Sequence, residues 1–153
     1  MLILAIESSC DETAASIFKN GKIVSNVVLS QEIHKEYGGV VPEVASREHD
    51  SQITYIVNRA INNAKISFCD LNAIAVTYGA GLLGALLVGL SYAKGLSISL
   101  NIPYIGVNHL EGHLYASFIT NPQIEYPFLT LLVTGGHTQI WEVDNNNKYI
   151  MHS

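Results

Sequence analysis

The 153 residues are 48% apolar and only 14% charged, which excludes a disordered chain and predicts one ordered domain with the start of another. Eight basic against thirteen acidic side chains leave a formal charge of -5, which excludes a self-sufficient nucleic-acid binder, because phosphate contacts need clustered Lys or Arg. Cys10 and Cys69 lie far apart with no CxxC spacing, which argues against a disulfide framework or zinc ribbon and for a reducing compartment.

The opening MLILAIESSCDE has no basic stretch before its apolar run and does not read as a signal peptide. The longest apolar stretch, Ala80 to Ala93, is too short to span a bilayer and carries several glycines. A soluble, cytoplasmic chain without a membrane partner is expected.

Leu2 to Ile6, Ala14 to Phe18 and Ile23 to Leu29 are apolar runs, the first two joined by the polar SSCDET segment and the last two by Asn20-Gly21. Asn-Gly between apolar runs is a strong hairpin signal, so a meander of three antiparallel strands is predicted. After the Gly38-Gly39 loop, Pro42 suits a first helical turn, and Ile53, Ile56, Val57, Ala60, Ile61 and Ala64 recur at helical spacing. That spacing predicts a helix over 42–64. Ala73 to Thr77 and Tyr104 to Val107 read as buried strands on either side of a second helix. Within that helix Gly81, Ala85, Gly89 and Ala93 form a stripe of small residues, expected to pack tightly on a sheet, with the TYGAG loop before it as the one ligand contact. A third helix is predicted to begin near Asn108, with Asn108 and Glu111 as a capping box.

The predicted order is thus three antiparallel strands, helix, strand, helix, strand, helix, the α/β, ribonuclease-H-like layout of one actin-type lobe with a mixed sheet. Phe128 to Val133, Gln139 to Val143 and Tyr149 to Met151 then repeat the opening strand-turn-strand-turn-strand pattern. The expected division is a first lobe over 1–126 and the start of a truncated second lobe over 127–153. Such a meander without covering helices exposes an apolar face, so self-association is expected. The alternative is that 127–153 adds strands to the edge of the first sheet.

His109 and His113 fall at i, i+4 on the third helix, where both imidazoles can reach one metal ion; the same spacing also suits two ordinary surface or core histidines. The string is HLEGH, not HExxH, and lacks the Glu base of zincin proteases. No third ligand stands out, and neither His137 nor His49 is expected to serve. The turns Ser8 to Thr13 and Thr134 to Thr138 are natural anion cradles. The second fits phosphate better, because the first carries the carboxylates of Asp11 and Glu12. Arg47 and His49 fall on the first turns of the 42–64 helix, and the ordinary reading of both is a solvated helix start.

The strings IESSCDETAASI, YGGVVPEVASREH, GLLGALLVGLSYAKGL, VNHLEGH and LLVTGGHTQI occur in the order and spacing of the TsaD family, and the chain resembles that family over essentially its whole length. The resemblance implies an actin-like, two-lobed ATPase-type fold. It would bind an adenine nucleotide or threonylcarbamoyl-AMP and one divalent metal ion, iron or zinc. The implied reaction moves a threonylcarbamoyl group from threonylcarbamoyl-AMP to the adenosine beside the anticodon of tRNAs reading ANN codons.

Carried over by motif, His109 and His113 resemble the family's metal ligands. Leu132, Val133, Thr134, Gly135 and Gly136 resemble its substrate-binding loop, and Asp11 and Glu12 its substrate-orienting carboxylates. The implied partners are a TsaB-like inactive paralogue, a TsaE-like small ATPase, and tRNA through the complex. Asn108, Ala80 and Thr134 depart from the family's frequent His, Pro and Ser at those positions. Relatives run to more than twice this length and supply a further metal-binding Asp, so the isolated chain is expected to be inactive. The competing readings are a non-catalytic module that binds the paralogue and, far behind, a metalloprotease.

Overall fold

In the computed structural model, which describes residues 1–121, 123–134, 138–145 and 148–152, Asn20-Gly21 closes the hairpin that its sequence predicts. Both residues take positive φ, 48° and 86°, the backbone of a tight turn whose twist matches the flanking strands. They join β2 (Glu12–Lys19) to β3 (Lys22–Ser30), and β2 also pairs antiparallel with β1 (Leu2–Glu7). The short helix α1 (His34–Tyr37) ends on Gly38, at φ 71°, and α2 (Pro42–Asn63) starts on the expected proline.

Next come β4 (Ala73–Gly79), α3 (Leu83–Leu100), β5 (Tyr104–Asn108) and α4 (His109–Thr120). The strands order β3-β2-β1-β4-β5, with β4 parallel to β1 and β5 parallel to β4. This is the mixed sheet expected from the sequence. Leu4, Ile6, Ala15, Ile17, Ile74 and Val76 alternate along their strands into one core with Ile53, Ile56 and Val57 of α2. Full burial of one such aliphatic side chain is worth about 1.5–3 kcal/mol, so this face carries the stability of the sheet. Two short elements were not expected: α1, and a 3-10 turn at Phe68–Asp70. The second has a legible cause, because the Ser67 backbone N–H donates to Asp70 Oδ2 (2.7 Å) and Ser67 Oγ accepts from the Cys69 N–H (3.2 Å).

The small-residue stripe has a specific partner. Ala85, Gly89 and Ala93 are buried on α3, and Ser8 at the end of β1 donates its hydroxyl to the Ala85 carbonyl (2.9 Å). A Cβ on Gly89 would stand 2.4 Å from Ser8 Oγ, and one on Gly81 2.5 Å from the Ser9 carbonyl oxygen. A Cβ on Gly84 would stand 2.3 Å from Ser46 Oγ of α2. Gly89 of the stripe, with Gly81 just ahead of α3 and not within it, therefore admits the β1–β2 turn, and Gly84 beside the stripe admits α2. By length and composition α3 could cross a membrane. Its small-residue side, however, is packed on the protein, while Leu83, Leu87 and Ile98 point outward and are exposed.

The chain divides into two compact units, Met1–His109 and Leu110–Ser153. In the second, β6 (Phe128–Val133), β7 (Thr138–Val143) and β8 (Tyr149–Met151) form their own antiparallel sheet in the order β6-β7-β8. The described strands of 127–153 thus pair with one another and do not extend the first sheet. Tyr115, Phe118, Tyr126, Phe128 and Tyr149 form an aromatic cluster with centroids 5.3–6.4 Å apart, a spacing that favours tilted and edge contacts. Leu129, Leu131 and Val133 of β6 are exposed, as are Ile140 and Ile150.

Two glycines of the α3 region separate packing from propensity. Gly81→Ala drives a Cβ into the Ser9 backbone and should lower unfolding free energy by about 1–3 kcal/mol. Gly95→Ala meets nothing within 4 Å and should raise it by about 0.5–1 kcal/mol through helix propensity. Urea denaturation of both variants checks this; equal effects would remove the close-approach argument.

Candidate functional site

The three parallel strands of the first sheet end together, β1 at Glu7, β4 at Gly79 and β5 at Asn108. In open α/β sheets ligands are bound outside such carboxyl ends, where loops and helix starts converge. Glu7 and Thr77 sit side by side there, and His109 follows β5 at once as the first residue of α4.

The Glu7 carboxylate is held on both oxygens. Oε1 accepts the Ser9 backbone N–H (2.6 Å), and Oε2 accepts the Thr77 hydroxyl. His109 Nδ1 lies 3.1 Å from Ser9 Oγ and 3.4 Å from Glu7 Oε2. Burial pushes the Glu7 carboxyl up, but the hydrogen bonds from Ser9 and Thr77, helped by His109, outweigh it and hold Glu7 below the ordinary carboxylate range. On the side of the sheet away from α2 and α3, small residues leave a shallow cleft of about 140 Å³ beside Glu7, lined by Ala5, Ala14, Ser16, Thr77 and Val107 among others.

The turn after Glu7 is fixed from beneath by a residue the sequence reading placed in solvent. His49 is 0% exposed. Its Nε2 lies 3.0 Å from the Cys10 carbonyl and its Nδ1 2.8 Å from Thr13 Oγ1. A carbonyl only accepts, so Nε2–H donates to Cys10 and Nδ1 accepts from the Thr13 hydroxyl. The expectation of a solvated helix start therefore holds for Arg47, which pairs with Glu43 (2.5 Å) in the open, and fails for His49. The signal was available: Ala45, His49 and Ile53 continue the apolar stripe of α2 at i, i+4 spacing. With both ring nitrogens engaged inside the protein, His49 is not a metal ligand.

Of the predicted acidic pair, Asp11 is half-buried in the turn, and its carbonyl accepts the Gln31 N–H (2.9 Å). Glu12 is exposed at the start of β2 and accepts the Ser30 hydroxyl (2.9 Å). Cys10 follows Ser9 in the turn; partial burial and the neighbouring Asp11 push its thiol up to about 11, which disfavours the thiolate. His109 and His113 both lie on α4, one turn apart, with His113 exposed. Leu132 is buried in β6, Val133 is exposed at its end and Thr134 follows. Gly135 and Gly136 of the predicted loop, and His137, lie outside the described residues. Ser9 lies in the predicted Ser8 to Thr13 turn, whereas Glu7 and Thr77 carry no local signal, because only pairing β1 with β4 brings Thr77 to Glu7.

Two imidazoles one turn apart suit a borderline metal such as iron or zinc. Among the described residues no three His, Cys, Asp or Glu side chains are grouped to hold an ion. The donors present fit part of a metal site.

The family model for TsaD, tRNA N6-adenosine threonylcarbamoyltransferase, matches residues 22–152. The chain is 58% identical over 151 residues to the tRNA N6-adenosine threonylcarbamoyltransferase of Clostridioides difficile, covering 97% of this chain and 45% of that protein. It is 53% identical over 152 residues to the same enzyme of Thermosipho melanesiensis, covering 99% and 47%. The chain thus spans about half the length of the curated relatives it matches. In structure it resembles YeaZ from Pseudomonas aeruginosa, with a TM-score of 0.68 at 13% identity over 99% of this chain and 64% of that one. It also resembles component A of the (R)-2-hydroxyglutaryl-CoA dehydratase of Acidaminococcus fermentans, with a TM-score of 0.55 at 15% identity over 99% and 46%. The fold is that of the actin-like ATPases.

His49 generates a prediction with a definite sign. Desolvation lowers its pKa in the folded protein below the ordinary 6.5, against the pull of the Cys10 carbonyl, Glu7 and Asp11 and with the push of His34. The unfolded chain therefore binds more protons in the window below about 6.5, and the stability His49 contributes is complete above that pH and lost as pH falls through it. Denaturation as a function of pH should show this loss, and His49→Ala, which leaves buried partners unsatisfied, should cost about 1–3 kcal/mol above that pH and flatten the acid slope. An unchanged slope in the variant would contradict the assignment.

Proposed function

The chain belongs to the TsaD family of tRNA N6-adenosine threonylcarbamoyltransferases, and on that premise we propose that it carries the first part of an active site for threonylcarbamoyl transfer. The acyl group moves from threonylcarbamoyl-AMP to the exocyclic amine of the adenosine beside the anticodon in tRNAs reading ANN codons, with AMP leaving. The observation that carries this reading is the HLEGH segment, which starts α4 at the carboxyl edge of the parallel strands and puts two imidazoles one turn apart. His109 and His113 would hold a divalent ion, iron or zinc, and such an ion supplies charge stabilisation for the acyl transfer.

The remaining roles follow the same premise. Asp11 and Glu12 orient substrate from the β1–β2 turn, and Leu132, Val133, Thr134, Gly135 and Gly136 bind the adenylate. With a formal charge of -5, the chain reaches tRNA through a complex with the inactive paralogue and the small ATPase, in the cytoplasm. Tyr55 of α2 and Leu83, Leu87 and Ile98 of α3 are exposed apolar side chains, and they support α2 and α3 as the paralogue-binding surface. That surface would also serve the second reading, a binding module without chemistry. Two histidines without a third donor hold metal weakly, so the chain alone is expected to be inactive.

The test is tRNA threonylcarbamoylation with the purified partners, threonylcarbamoyl-AMP and iron or zinc, by the chain alone and by the chain supplemented with the second half of a full-length relative. Activity only with the added half, abolished in His109→Ala, is the expected result. Paralogue binding with no modification under either condition would favour the binding module. Activity of the chain alone would place a third metal ligand within these residues.

A further inference from the structure

A metal-binding imidazole donates through one nitrogen and is oriented through the other, and the oriented nitrogen usually meets a carboxylate or carbonyl. His109 meets that description at Nδ1, where Glu7 and Ser9 stand. We propose that Glu7 is a positioning residue for His109: its buttressed carboxylate keeps the proton on Nδ1 and the lone pair on Nε2, so that His109 presents Nε2 as its donor atom. This rests on the metal-site reading above but makes a claim about the protein's own proton that is measurable without any metal.

One hydroxyl, Ser9 Oγ, and one carboxylate oxygen, Glu7 Oε2, face Nδ1, and only the carboxylate dictates which tautomer it meets. Ser9 Oγ can accept from Nδ1–H or donate to a bare Nδ1, so it imposes no tautomer by itself. Glu7 Oε2 can only accept. Both of its oxygens already face donors, the Ser9 N–H at Oε1 and the Thr77 hydroxyl at Oε2, as suits an ionised carboxylate. A bare Nδ1 turned toward that oxygen would set one lone pair against another. The N–H therefore points at Glu7 and Ser9 together. The position of Glu7 is set by the sheet, because Ile6 pairs with Val76 and Thr77 follows on the neighbouring strand, so the carboxylate is fixed before any ligand arrives.

The same geometry dictates what an amide would do. The Ser9 backbone N–H cannot reverse, so Glu7→Gln must keep its carbonyl oxygen at the Oε1 position and place its NH2 at the Oε2 position. The Thr77 hydroxyl can turn and accept from it, but the amide now faces Nδ1 as a donor. Nδ1 must then accept, and the proton moves to Nε2, where it blocks the proposed donor atom. Ser9→Ala keeps both the Glu7 charge and the backbone N–H, and should leave the proton on Nδ1.

Imidazole nitrogen-15 NMR of the metal-free chain in alkaline buffer reads the tautomer directly, with His109→Ala to assign the signals. The expected result is an Nδ1–H tautomer in the wild type and in Ser9→Ala, and an Nε2–H tautomer in Glu7→Gln. A wild type with its proton on Nε2, or a flip caused by Ser9→Ala, would overturn the proposal even if the Glu7 variant failed to fold. Zinc titration adds a second readout: Glu7→Gln should bind on the order of ten- to a hundredfold more weakly, and equal affinity would also overturn it. If the tautomers behave as expected but the wild-type chain binds no zinc, the positioning role stands and the metal reading of α4 fails.

Discussion

The turn between β1 and β2 is gripped on every side, and most of what is unusual in the first unit follows from that grip. The Ser8 hydroxyl is held by α3, the Ser9 carbonyl accepts the Leu82 N–H (2.8 Å), the Cys10 carbonyl is held by His49 of α2, and the Ser9 N–H is held by Glu7 beneath. A backbone this enclosed needs small neighbours, which explains why Gly81 and Gly89 stand where they do. It also explains a fully buried histidine in an otherwise apolar helix stripe, since no apolar side chain can satisfy both a carbonyl and a hydroxyl. Buried polar groups of this kind are costly when broken and specific when satisfied. The turn that carries Asp11 and leads into Glu12 is thus held in one fixed conformation.

The fold was largely legible because its signals are local. Asn20-Gly21, the α2 stripe and the repeated strand pattern from Phe128 onward each depend on a few adjacent residues, and each element appears within a residue or two of its expected bounds. What escaped was short or nonlocal. Helix α1 has four residues, too few for any period. Glu7 and Thr77 are 70 positions apart, and the register of β1 on β4 alone makes them partners. His49 was misplaced because a histidine near a helix start was weighed by its polarity, when its spacing from Ala45 and Ile53 already put it on the buried side.

The candidate site residues divide the same way. HLEGH was visible as a spacing, and β5 delivers it to the carboxyl edge of the parallel strands, where the ends of β1 and β4 already stand. Family membership then gives the chemistry its name. The small-residue stripe on α3 had been assigned to sheet packing, and it proves to serve the turn as well.

The proposed metal centre takes two of its donors, His109 and His113, from α4. X-ray absorption of the zinc- or iron-loaded protein, reconstituted from this chain and the second half of a relative, tests it most directly. Two imidazoles in the metal's coordination shell, reduced to one in His113→Ala, is the predicted result. A metal held without imidazole ligation, or a spectrum unchanged by that substitution, would contradict the account.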